Sequence, residues 1–113
     1  MYNSDPITKE FLQAIAERPL LETSTLAYLV RVQADRLFPN RTTHSMFLKL
    51  YSEIGELVDD PASPGELADC FIMLLDHAER FNINIVKAVV EKMIVNEERT
   101  WTQTEMGVMK HVK

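Results

Sequence analysis

Lys49-Leu-Tyr-Ser-Glu-Ile-Gly-Glu-Leu57 and, after a short acidic break, Glu66-Leu-Ala-Asp-Cys-Phe-Ile-Met-Leu74 each place two carboxylates three residues apart in an apolar helical pattern. Residues three apart share one face of a helix, so Glu53/Glu56 and Glu66/Asp69 are two like-charged pairs. Each pair repels by about 0.2–0.5 kcal/mol in water and by more when desolvated. Little counter-charge is at hand. Lys49 stands four residues before Glu53, whereas Glu56 meets Asp59 and Asp60 one turn on, and Asp69 meets Ile72 and Met73. Acidic residues gathered at the edge of apolar faces are expected to hold a cation.

Working outward, the glycines are few and the prolines fall between periodic stretches, which gives an all-helical chain with short connections. Thr42 or Thr43 caps the helix that carries Met46, Phe47, Leu50, Ile54 and Leu57, and Val58-Asp-Asp-Pro61 closes it. Ser63-Pro-Gly-Glu66 opens the next helix with capping-box spacing and a proline at its first position; that helix runs to about Phe81. Asn84 caps a further helix with Val86, Val89, Val90, Met93 and Ile94 at helical spacing. Before these, Ser24 to Leu37 reads as a helix bearing Leu26, Leu29, Val30, Gln33 and Leu37, stopped by Phe38-Pro39-Asn40. Asp5 and Pro6 start a short first helix with Ile7, Phe11, Leu12 and Ile15 on one face, ended by Pro19. The organisation expected is an N-terminal helical extension over 1–20, one helical domain over 21–101 and a polar, frayed tail over 102–113.

The bulk numbers agree. At 113 residues, 46% apolar and 26% charged, the chain is the size of one soluble domain. No apolar run approaches the ~20 residues of a membrane span. The N-terminus lacks a signal peptide's order, and the single Cys70 fits a reducing, cytoplasmic setting. With a net charge of −5 and scattered basic residues, a nucleic-acid polymer is not an expected partner. A free nucleotide is compatible, because a metal can bridge acidic protein to an anionic substrate.

All but one of the candidates also have a plain structural explanation. Glu53 and Glu56 can be a solvated face. Glu66 can be the capping-box acid of Ser63. Asp69 resists such an account. It precedes Cys70-Phe-Ile-Met-Leu-Leu75, so its helix is apolar nearly all round and expected to be buried, and a buried carboxylate needs a proton or a partner. Lys92, Asn96 and Arg99 recur at i, i+4 and i+7 on one helix face, a stripe suited to phosphate or simply to the helix dipole. Tyr28, Phe47 and Trp101 can stack on a base or fill a core. His44 and His77 lack zinc-ligand spacing, and Cys70 reads as an inert core thiol.

At three segments the chain resembles the all-α nucleoside triphosphate pyrophosphohydrolases, the MazG-like superfamily. Its pattern is roughly K-L-x-E-E-x-x-E-L, E-x-x-D and K-x-x-x-N-x-x-R-x-W. Here these read Lys49-Leu-Tyr-Ser-Glu-Ile-Gly-Glu-Leu57, Glu66-Leu-Ala-Asp69 and Lys92-Met-Ile-Val-Asn-Glu-Glu-Arg-Thr-Trp101. The match spans about residues 43–101 and is most similar to the compact phage and prophage-type members described as dATP/dGTP pyrophosphohydrolases. Two positions depart from the superfamily pattern: Ser52 replaces the first of the doubled glutamates, and the Glu56–Glu66 linker is short, as in the compact subgroup.

The resemblance implies an antiparallel bundle of four to five helices completed by dimerisation, as a homodimer or homotetramer. It implies Mg²⁺, or Mn²⁺ in its place, on Glu53, Glu56, Glu66 and Asp69, with Glu53 also the candidate general base. Lys92, Asn96 and Arg99 would hold phosphate oxygens. The implied reaction converts a (d)NTP and water to (d)NMP and pyrophosphate. Ser52 keeps a second reading open, a non-catalytic helical dimer with a vestigial metal site that binds or regulates. Base and sugar preference are not legible in the sequence.

Overall fold

The computed structural model describes residues 8–17 and 21–112. Five helices come in order: α1 (Lys9–Glu17), α2 (Thr23–Leu37), α3 (Thr43–Asp59), α4 (Pro64–Arg80) and α5 (Ile85–Glu97). A two-stranded hairpin follows, β1 (Thr100–Gln103) and β2 (Met109–Val112). The expected helix start at Asp5 and Pro6, Ile7 and the stop at Pro19 lie outside the described residues. No helix among those described is long and apolar enough to cross a membrane.

Capping explains where the central helices begin. Thr42 accepts the Ser45 N–H while Ser45 Oγ accepts the Thr42 N–H, a reciprocal capping box. Ser63 Oγ accepts the Glu66 N–H at 3.2 Å, with Pro64 at the first helical position. Asn84 Oδ1 accepts the Lys87 N–H. Between α4 and α5 the chain reverses through Asn82 at φ +54°, a left-handed conformation that asparagine tolerates.

α4 is the central element, packed on α2 and on α3, while α5 lies on α2. The core gathers Ala27 and Val30 of α2 with Leu75 of α4, flanked by Leu26 and Ile85. Ala34, Cys70 and Ala78 are buried around it. The deepest positions on α2 are thus alanines, which let α4 come close, and Leu37 is exposed. Covering Leu75 completely contributes about 1.5–3 kcal/mol.

Two expectations are corrected. Asp69, expected to be buried, is exposed within one chain, as are Phe71, Ile72 and Leu74, because α2 and α3 leave part of α4 open. On α5, Ile85 is partly buried against the core, while Val89, Val90, Met93 and Ile94 are all about half exposed or more. The expected frayed tail is a hairpin that begins at Thr100. Trp101 pairs with His111 directly across the strands, the rings meeting edge to face at 6.0 Å. The turn closes through Thr104 N–H to Val108 O at 2.8 Å and through Gly107 at φ +82°, a conformation favouring glycine. The Trp101 indole N–H donates to Asn96 O at 2.9 Å and ties the hairpin to the end of α5.

Candidate metal centre

The two acidic segments fold onto adjacent helices. α3 presents Glu53 and Glu56 one turn apart, and the first turns of α4 present Glu66 and Asp69. One carboxylate oxygen from each of Glu53, Glu56 and Glu66 lies within 4.8 Å of the others. Asp69 stands outside that trio yet borders a cavity together with Glu53 and Lys49.

The capping-box account of Glu66 fails on the geometry. A box requires its side chain to reach the Ser63 N–H, but that N–H donates to Asp60 O at 3.1 Å. Glu66 Oε2 is instead buried without a partner. The positive end of the α4 dipole favours its charge there.

Of the four predicted ligands Glu53, not Asp69, is the buried one, at 6% exposure. Lys49 Nζ sits 2.9 Å from Glu53 Oε1. That ammonium holds the Glu53 carboxyl below its usual range, against the opposing effect of burial. Glu56 moves the other way, raised first by the close approach of the Glu53 carboxylate and then by the charges of Glu53 and Glu66. Carboxylates this close share protons or share a cation. Glu53 Oε2, like Glu66 Oε2, is buried with no partner. Two orphaned, shielded carboxylate oxygens within an all-oxygen donor set fit a hard divalent ion such as Mg²⁺ or Mn²⁺. Ser52 lies exposed on α3, adding no carboxylate to the set.

The cationic stripe is only partly as expected. Lys92 and Asn96 lie on α5, but α5 ends at Glu97, and Arg99 sits in the turn before β1. Its N–H bonds Asn96 O at 3.3 Å. None of the three lines the cavity beside Glu53. A single chain gathers three of the four carboxylates, while α5, which carries Lys92 and Asn96, packs on α2.

The cavity has a volume of about 350 Å³. Ala34, Phe38, Met46, Ile72 and Met73 line its apolar part, with Asp76 also on its wall. Asp76, 1% exposed, is a feature the sequence reading passed over. Arg41 grips it bidentately, Nε to Oδ2 and Nη2 to Oδ1, both at 2.8 Å. Arg41 also donates to Asp35 Oδ1 at 2.8 Å and to Phe38 O at 3.2 Å. Asp76 beside these contacts raises the Arg41 guanidinium above its ordinary value. The signal was an acid directly following the apolar run from Cys70 to Leu75. Of the aromatics considered for base stacking, Phe47 packs against His77 at 5.0 Å and Trp101 belongs to the hairpin. His77 packs against both Phe47 and Phe81, the ring centroids 5.0 and 4.6 Å away.

Comparison with known proteins gives a consistent result. The sequence profile of the dATP/dGTP pyrophosphohydrolase family matches residues 33–113. A Salmonella phage PMBT28 protein named dATP/dGTP diphosphohydrolase is 46% identical over 87 residues, 74% of this chain. The chain spans only 29% of that relative's length. A Cyanophage S-2L protein of the same name is 35% identical over 78 residues, 67% of this chain and 74% of the relative. Among solved structures, the Cyanophage S-2L MazG-like pyrophosphohydrolase bound to dGDP and three catalytic Mn²⁺ ions per active site matches with a TM-score of 0.74 and 29% identity, covering 81% of this chain and 93% of that one. Profile, relatives and fold agree with one another, and the chain belongs to the dATP/dGTP pyrophosphohydrolase family.

Proposed function

We propose that the protein is a metal-dependent hydrolase of purine deoxynucleoside triphosphates, releasing pyrophosphate and a deoxynucleoside monophosphate. The observation that carries this reading is the convergence of Glu53, Glu56 and Glu66, with two of their oxygens buried and unpartnered. Relatives named for dATP and dGTP and a similar structure holding dGDP support the substrate class.

Glu53, Glu56, Glu66 and Asp69 would hold the ions. When bound, divalent ions offset phosphate charge and lower the pKa of water. The chain's own residues do the rest. Glu53, whose carboxyl Lys49 holds ionised in the metal-free chain, would accept a proton from the attacking water. The apolar cavity beside Glu53 and Asp69 takes the nucleoside end and excludes water, in the size range of small-molecule sites. Lys92, Asn96 and Arg99 hold phosphate oxygens from a neighbouring copy of the chain.

That last role requires an oligomer, and two features support one. The Cα radius of gyration is 16.8 Å, against about 13 Å for a compact chain of this length. The apolar residues of α5 and one side of α4 are also uncovered. Sedimentation equilibrium at micromolar concentration should give a dimer or tetramer; a monomer would remove the shared-site arrangement. The cytoplasmic setting expected from the sequence belongs to the same proposal.

The experiment for the activity is pyrophosphate release from a panel of NTPs and dNTPs with Mg²⁺. dATP and dGTP should be the best substrates. The alternative, a non-catalytic binding dimer, draws on Ser52. It predicts no release from any nucleotide and no thermal shift with Mg²⁺ or Mn²⁺.

A further inference from the structure

The carboxylate cluster comes with its own cation. Lys49 lies one turn before Glu53 on α3 and reaches it from the solvent side, its side chain 62% exposed against 8% for Glu53. It borders the same cavity as Glu53 and Asp69. One oxygen of Glu53 therefore rests on an exposed monovalent charge, the other is buried without a partner, and the carboxylates of Glu56 and Glu66 stand within 4.8 Å. A divalent ion entering that trio would meet an ammonium already on one of its ligands. Two cations on one small carboxylate repel, and the exposed lysine is the one that can leave at little cost.

We propose that Lys49 is an exchangeable counter-ion: its ammonium neutralises Glu53 in the metal-free protein and competes with the divalent ion for that carboxylate. This rests on the metal-dependent reading above and adds to it a residue that sets the affinity for the ion. The opposite role is also physically reasonable. A lysine that stays in place and pins Glu53 for coordination would strengthen metal binding. The sign of one substitution separates the two roles.

The test is titration of the full chain with Mn²⁺ alone, free ion followed by electron paramagnetic resonance, for wild type, Lys49→Met and Lys49→Arg. Lys49→Met should bind Mn²⁺ about two- to five-fold more tightly, the scale of an exposed ion pair. Lys49→Arg, which keeps the charge, should stay near wild type. In a Glu53→Gln background the gain from Lys49→Met should shrink. The metal-free Lys49→Met protein should also melt below metal-free wild type, with the gap closing as Mn²⁺ is added. Unchanged or weaker Mn²⁺ binding by Lys49→Met overturns the counter-ion role while leaving the enzyme reading intact. Failure of the wild-type chain to bind Mn²⁺ overturns both.

Discussion

Glu53→Gln is expected to lower the rate of pyrophosphate release at least about 100-fold, since even the outer partners of metal ligands cost 10–100-fold when removed. The substitution keeps the shape of the side chain and removes its charge. Glu53 is the most shielded of the four carboxylates, joined through Oε1 to Lys49 and left with Oε2 unpartnered. A neutral amide there can neither balance a divalent ion nor accept a proton from water. Its NH₂ can also be aimed at the ion or at the ammonium of Lys49. Asp69→Asn should impair activity by a similar mechanism, with a weaker effect on metal affinity because Asp69 is exposed and stands outside the close trio. Asp69→Asn should leave the melting temperature of the metal-free protein nearly unchanged, because it removes one exposed charge from an acidic cluster, whereas Glu53→Gln should lower it, because it also takes the partner of Lys49. Steady-state kinetics with Mg²⁺, beside thermal melts with and without the ion, checks both parts. Full activity in Glu53→Gln would exclude it as ligand and base.

Arg41→Leu should have the largest effect on stability, about 3–5 kcal/mol, the cost of removing one partner of a buried ion pair. Asp76 has both oxygens on Arg41 and is almost wholly out of water. Without the guanidinium its charge is stranded among Ala34, Met73 and their neighbours. The loss is a large share of the ~5–15 kcal/mol that holds a domain together. Arg41→Lys should recover little, because an ammonium cannot make the planar fork that bridges both Asp76 oxygens and reaches Asp35. Replacing both partners, Arg41→Leu with Asp76→Leu, should restore much of what the single change removes. Urea denaturation of the three variants measures this directly. A single-variant loss below about 1 kcal/mol would show that water reaches Asp76 in solution.

What the sequence disclosed followed from local physics. Thr42, Ser63 and Asn84 are legible as caps because each short polar side chain bonds a backbone N–H three residues on. Glu53, Glu56 and Glu66 are legible as a cluster because helical spacing fixes each pair's face and the short linker brings α4 back along α3. The burial of Asp69 was misjudged for a different reason. An apolar helix must be covered, but sequence does not say whether its own chain or another covers it; here Phe71, Ile72 and Leu74 remain open in the single chain. The hairpin escaped notice because Trp101-Thr-Gln103 and Met109-Lys-His-Val112 are short and polar-rich, and pair only after Gly107 turns the chain. The Arg41–Asp76 pair joins residues 35 apart, a separation at which sequence pattern carries no signal. Arg99 follows helical spacing from Lys92, yet the helix ends first.

Crystals grown with Mn²⁺ and a non-hydrolysable dGTP analogue, measured at the manganese absorption edge, put the metal centre to its strictest trial. Anomalous peaks within coordination distance of Glu53, Glu56 and Glu66, with Asp69 at their edge and the base in the cavity beside Phe38 and Met73, are the predicted result. Peaks elsewhere, or none while the nucleotide is bound, would contradict it.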